Sequence, residues 1–160
     1  MNDTRIDVAE GAIAPDFTLP RDGVGEITLS GLRPRPVVLY FYPRDDTPGC
    51  TTQAIGFTCL GAEFEAAGGV VLGVSKDSVA QHDKFRDKHS LGVALLSDAG
   101  SDVCERYGTW VEKNMYGKKS MGIERSTFLI DGSGTIARIW RKVKVEGHVE
   151  EVLEALRALG

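Results

Sequence analysis

The stretch Val37-Val38-Leu39-Tyr40-Phe41-Tyr42-Pro43-Arg44-Asp45-Asp46-Thr47-Pro48-Gly49-Cys50 decides how the rest of the chain is read. Its first six residues are apolar or aromatic at every position, the pattern of a strand buried on both faces of a parallel sheet. Polar, turn-forming residues follow, and a helical segment opens around Cys50. A cysteine in a first helical turn meets unpaired backbone N–H groups and the positive end of the helix dipole. Both favour thiolate over thiol, and the thiolate is the reactive form. A lone cysteine is more often a small buried hydrophobe. Here Asp45, Asp46, Pro48 and Gly49 argue against apolar surroundings.

Working outward, residues 16–19 and 26–29 read as two short strands around the turn-rich Arg21-Asp22-Gly23-Val24-Gly25. A helix is expected over 50–67, ended by Gly68-Gly69. Within it, Ile55 is expected to pack under the loop before Cys50. A strand over 70–75 comes next, followed by a helix capped by Asp77 or Ser78 that runs to about His89. Residues 93–96 form a third parallel strand, and 101–107 a short helix. Residues 127–130 and 135–140 flank Asp131-Gly132-Ser133-Gly134, a hairpin signal. The last helix carries Val149, Val152, Leu153, Leu156 and Leu159 on one stripe. This order predicts an α/β, thioredoxin-like fold: a central mixed sheet flanked by helices, with an N-terminal β-hairpin extension. Right-handed crossovers bring the C-terminal ends of the parallel strands to one edge, where open α/β sheets bind ligands. The loop from Pro43 to Cys50 lies at that edge.

A chain of 160 residues is expected to form one domain, 1–160, with residues 1–10 loosely held. Its 42% hydrophobic and 26% charged residues are ordinary for a globular protein, and the net charge of −4 argues against nucleic acid as a partner. The basic stretch 138–144 alternates with Ile139, Trp140 and Val143, as the wet edge of a strand would. No run approaches the roughly 18 apolar residues of a membrane span, and the N-terminal segment lacks the apolar core of a signal peptide. A cytoplasmic location is therefore expected. Three irregularly spaced cysteines fit a reducing compartment. Gln53 stands where a Cys-x-x-Cys motif would place its second thiol, which speaks against a dithiol exchanger. His82 and His89 share a helix face two turns apart and are expected to be solvated. No cofactor or metal pattern is present.

The spacing Pro43-x-x-x-Thr47-x-x-Cys50 matches the active-site motif of the peroxiredoxins. The surrounding FYPRDDTPGCTT resembles their bacterioferritin comigratory protein, or peroxiredoxin Q, subfamily. The likeness runs from about Gly11 through the last helix. It implies a thiol-dependent peroxidase acting on hydrogen peroxide and organic hydroperoxides, with Cys50 as the peroxidatic residue that becomes a sulfenic acid. Thr47, otherwise a helix N-cap, would bond the thiolate or the peroxide oxygen, and Pro43 would shield the thiolate and fix the loop. Arg125, otherwise paired at the surface with a carboxylate such as Glu124, occupies the place of the family's active-site arginine at the start of the strand before the late hairpin. An arginine suits that role because it stays charged and offers a fork of donors.

The chain departs from the subfamily at its second cysteine. Position 55, where many members carry a resolving thiol, is Ile55, and no cysteine falls in the following helix. Cys59 lies nine residues from Cys50, about 13.5 Å along an ideal helix, whereas a disulfide needs Cα atoms within about 7 Å. Cys104 is expected to be a semi-buried structural thiol. A one-cysteine mechanism follows, with the sulfenic acid reduced by an external thiol such as thioredoxin or glutaredoxin. The resemblance also implies a monomer without nucleic-acid or membrane partners. The competing possibility is a redox-sensing or chaperone-like module on the same fold, with negligible turnover.

Overall fold

β3 (Val37–Phe41) is the middle strand of a five-stranded sheet, and all five of its residues are buried. This computed structural model describes residues 8–159. β3 pairs in parallel with β4 (Val70–Ser75), which pairs in parallel with β5 (Ala94–Ser97). On its other side β3 pairs antiparallel with β8 (Ser126–Ile130), which carries the edge strand β9 (Ile136–Trp140). The sheet is thus mixed and central, as expected. Of the basic stretch 138–144, residues 138–140 lie in this edge strand and the rest follow it.

Period-two alternation sends Val37, Leu39 and Phe41 into one core cluster and Val38, Tyr40 and Tyr42 into the other. The second cluster lies under α1 (Pro48–Cys59), α2 (Gly61–Ala66), α3 (Val79–His89) and α5 (His148–Ala158). The first lies under α4 (Val103–Arg106) and the N-terminal hairpin of β1 (Thr18–Pro20) and β2 (Glu26–Thr28). On α5, Val149, Val152, Leu153 and Leu156 are buried. Each such side chain stabilises the packing by up to about 1.5–3 kcal/mol.

Several boundaries differ from expectation for local reasons. The helix over 50–67 is two helices, with Leu60 between them at φ −96°, ψ 13°. Gly56 and Gly61, the weakest helix formers of that run, bracket the break. Ile55 is 39% exposed and does not pack beneath the loop. The inward stripe of α1 is Cys50, Gln53, Ala54 and Phe57, an i, i+3, i+4, i+7 set that excludes position 55. Leu159 is likewise 41% exposed, beyond the end of the α5 stripe.

The hairpin of β6 (Trp110–Met115) and β7 (Lys118–Ile123) is an element the sequence reading does not contain. Its strands are polar and mostly uncovered, so they lack the alternation that betrays a half-buried strand. A turn signal exists at Tyr116-Gly117, both with positive φ. The expectation for residues 1–10 lies outside the described residues as far as 1–7. Beyond these, Val8 packs on the core and Glu10 accepts a hydrogen bond from Ile139 N–H at 3.0 Å. Among the described residues no helix is long and apolar enough to cross a membrane.

Candidate active site

The end of β3 and the start of β8 are opposed in register, Phe41 against Ser126. Whatever precedes β8 therefore arrives beside whatever follows β3. The residue before β8 is Arg125, and the segment after β3 is the loop to Cys50.

α1 begins with Pro48 at its first position, where the missing N–H costs nothing. Cys50 thus lies in the first turn, and only 2% of its surface is exposed. The reactive-cysteine expectation included polar surroundings. The residue is instead covered, a member of the cluster beneath α1 that also holds Tyr40, Tyr42, Ala54 and Phe57. Its polar contact is Arg125, whose Nη2 donates to Cys50 Sγ at 3.3 Å. Arg125 Nη1 donates to Gln53 Oε1 at 2.6 Å. The guanidinium is therefore held between two side chains one turn apart on α1, and not in a surface pair with Glu124.

Gly49 leaves room for this approach. A Cβ at position 49 would sit 3.0 Å from Arg125 Nη2 and 3.9 Å from Val145 Cγ2. In the sequence, Gln53 reads only as a missing cysteine. The signal for its place here is the i+3 spacing from Cys50, which sets both residues on the buried stripe. Arginine has no acceptor, so the Gln53 oxygen must face it. Gln53 Nε2 and Tyr40 OH are the buried side-chain polar atoms left without a partner among the described residues. Burial, with the charges of Cys50 and Asp45 adding to it, pushes the Tyr40 phenol far above its ordinary range.

Thr47 is the N-cap residue of α1 by backbone conformation, but its hydroxyl makes no cap bond. It donates instead to Arg44 O at 2.9 Å. Its single proton is thus committed, and its lone pairs remain free to accept. Pro43 is exposed at the outer side of the loop.

The two histidines expected to be solvated are tied to this loop. His82 is completely buried, with Nδ1 2.6 Å from Asp45 Oδ2 and Nε2 2.9 Å from Leu96 O. His89 Nε2 lies 2.9 Å from Asp46 Oδ1, and Lys88 Nζ donates to Asp46 Oδ2 at 2.7 Å. Asp46 takes a left-handed conformation, φ 60°, which aspartate tolerates. The partners come from loop residues about forty positions upstream, so no local pattern on α3 announces them. Asp45, Asp77 and His82 present ligand-type atoms within 4.8 Å of one another. Those atoms are spent on mutual hydrogen bonds and on Tyr42 OH, Ser75 Oγ and Asp45 N–H.

All three cysteines are free thiols. Cys59 is exposed at the far end of α1. Cys104 is buried in the cluster on the opposite face of the sheet from Cys50. Burial and the nearby Asp98 carboxylate push its thiol far above the ordinary cysteine range.

Residues 11–139 match the AhpC/TSA family. The chain is 53% identical over 146 residues to a putative peroxiredoxin bcp of Coxiella burnetii, covering 91% of this chain and 97% of that one. A crystal structure of a cysteine-to-serine mutant of Xylella fastidiosa PrxQ superposes with a TM-score of 0.91 at 40% identity, covering 96% and 98% of the two chains. The bacterioferritin comigratory protein of Xanthomonas campestris, studied for alkyl peroxide reduction in trapped intermediate and ligand complexes, superposes with a TM-score of 0.85 at 45% identity, covering 89% and 91%.

Proposed function

The chain belongs to the AhpC/TSA family, in its Bcp or peroxiredoxin Q branch, and is a thiol-dependent peroxidase of thioredoxin-like fold; we propose that Cys50 is its peroxidatic residue and that it works without a resolving cysteine. The observation that carries the assignment is the 3.3 Å contact from Arg125 Nη2 to Cys50 Sγ, with Cys50 in the first turn of α1.

The Cys50 thiolate attacks the terminal oxygen of ROOH. An S–O bond forms as the O–O bond breaks, and the departing RO⁻ takes up a proton to leave as ROH. Cys50 becomes a sulfenic acid. Arg125 holds positive charge where negative charge moves from sulfur to the leaving oxygen, an electrostatic role. Gln53 fixes the guanidinium from behind. Thr47, its proton given to Arg44 O, offers Oγ1 as an acceptor for the peroxide hydrogen. Pro43, with its φ fixed by the ring, stiffens the outer wall of the loop.

External reduction is supported by the places of the other thiols. Cys104 lies across the sheet and Cys59 at the far end of an intact helix. A first thiol attacks the sulfenic sulfur, releasing water and leaving a mixed disulfide; a second thiol then frees Cys50. We take the donor to be a thioredoxin- or glutaredoxin-type protein, which suits a reducing, cytoplasmic setting. We take the chain to be a single domain acting as a monomer. The central five-stranded sheet, with a core cluster on each face, supports the single domain.

The test is steady peroxide consumption with a thiol reductant. The parent should turn over and Cys50→Ser should not, because a serine hydroxyl has no accessible anionic form at neutral pH. A parent that oxidises once and does not cycle would instead be a redox-sensing module.

A further inference from the structure

The loop between β3 and α1 is held by side chains reaching in from elsewhere. Its anchor is Asp45, whose side chain is only 6% exposed. Asp45 N–H donates to Asp77 Oδ2 at 2.8 Å, Tyr42 OH donates to Asp45 Oδ1 at 2.6 Å, and His82 Nδ1 meets Asp45 Oδ2 at 2.6 Å. The residue before Asp45 supplies the carbonyl that fixes the Thr47 hydroxyl. A shift of Asp45 therefore moves Thr47, and with it the turn that presents Cys50.

The proton positions on His82 follow from its neighbours. Leu96 O can only accept, so Nε2 carries a hydrogen. Asp45 already accepts from the Tyr42 hydroxyl at its other oxygen. A hydrogen on Nδ1 completes the contact, which makes the ring an imidazolium paired with a carboxylate. The groups facing it are Asp45 of the loop, Tyr42 at the end of β3, Asp77 before α3 and the β5 carbonyl of Leu96. Burial alone would lower its affinity for the proton. The hydrogen bond and charge of Asp45, with the Leu96 carbonyl and Asp77, outweigh this and raise it. The pair also cancels a carboxylate charge five residues from a sulfur that must itself become anionic.

Resting on the peroxidase assignment, we propose that His82, buried as an imidazolium on α3, is a positioning residue for the peroxide reaction, acting through Asp45 to hold Thr47 and Cys50 in register with Arg125.

The experiment combines stopped-flow oxidation of Cys50 by hydrogen peroxide with nitrogen NMR of the imidazoles in the parent. His82→Gln and Asp45→Asn should each slow the reaction about ten- to a hundredfold, as displacement of a reacting group by about 1 Å does. The double variant should be no slower than the slower single, because the two act as one unit. Ile136→Val, which trims the core on the other face of the sheet, should leave the rate unchanged. In a pH titration followed by that NMR, His82 should keep hydrogen on both nitrogens to higher pH than an ordinary histidine, which titrates at about 6.5. A His82 ring that loses its second hydrogen no later than an ordinary histidine would overturn the proposal, even if the variants failed to fold. So would folded single variants with parental rates, or an equal slowing by Ile136→Val. A parent with a charged His82 and no reaction with peroxide would instead sink the peroxidase assignment, and this inference with it.

Discussion

Arg125 reaches Cys50 by passing over Gly49, at the spot where any other residue would place its Cβ, 3.0 Å from Nη2. The glycine matters there for space and not for backbone freedom, since its φ is not among the positive ones, and a Cβ would make the guanidinium give by a few tenths of an ångström. Because Gln53 also holds the guanidinium, at 2.6 Å, any shift of the arginine is taken against two contacts at once. Gly49→Ala should slow oxidation of Cys50 by about tenfold, and Gly49→Val by more, with the fold retained. Stopped-flow rates with circular dichroism as the fold control check this. A parental rate in the alanine variant would mean the guanidinium moves aside freely.

Arg125→Met should cost on the order of 10²–10³ in the second-order rate with peroxide, the range for removing a group that stabilises charge in a transition state. Lysine should recover part of it, since it brings the charge without the fork. Gln53→Ala should fall between the parent and Arg125→Met, because the guanidinium stays but loses its anchor. Peroxide titrations under pseudo-first-order conditions rank the three.

Ile55→Cys should change the mechanism at little cost in stability, because position 55 is 39% exposed and off the packed stripe of α1. The new thiol lies about 7.5 Å along the helix from Cys50, so only a local unwinding closes a disulfide. Peroxide should then yield a disulfide between Cys50 and the introduced thiol, and less over-oxidation to sulfinic acid than in the parent. Thermal denaturation and intact mass read the two effects.

His148 gives stability a pH dependence. It is 4% exposed, with Nε2 2.8 Å from Thr127 Oγ1. Burial lowers its affinity for a proton; Glu151 opposes this, and Arg125 and Arg138 add to the lowering. The unfolded chain takes up that proton at about pH 6.5, before the folded one does. The contribution is therefore present above that value and lost as pH falls through the folded one. His82 works in the opposite sense, being raised in the fold. Its stabilisation is full below the unfolded value and is lost as pH rises through the folded one. His148→Phe should lose part of the acid-side decline in Tm below about pH 6.5.

The strand–loop–helix from Val37 to Cys50 was legible because its parts are locally determined, an apolar run, turn residues and a helical segment around Cys50, although the helix itself starts two residues earlier, at Pro48. Arg125 followed from the resemblance, and the Phe41–Ser126 register explains why it arrives there. What stayed hidden depends on distant partners. His82 looked like a surface residue because Asp45, which takes it inward, is 37 positions away. The polar β6–β7 hairpin is held by its own ladder, so no buried face marks its strands. The exposure of Ile55 depends on which stripe of α1 turns inward, and the phase of a short apolar run does not fix that.

The most direct measurement is intact mass after one equivalent of peroxide, for the parent and for variants with serine at Cys50, or at Cys59 and Cys104 together. One oxygen should be added to the parent and to the Cys59/Cys104 variant, and none to Cys50→Ser. A loss of two hydrogens in the parent would reveal an internal disulfide and contradict the one-cysteine mechanism. An oxygen gained by Cys50→Ser would place the peroxidatic sulfur elsewhere.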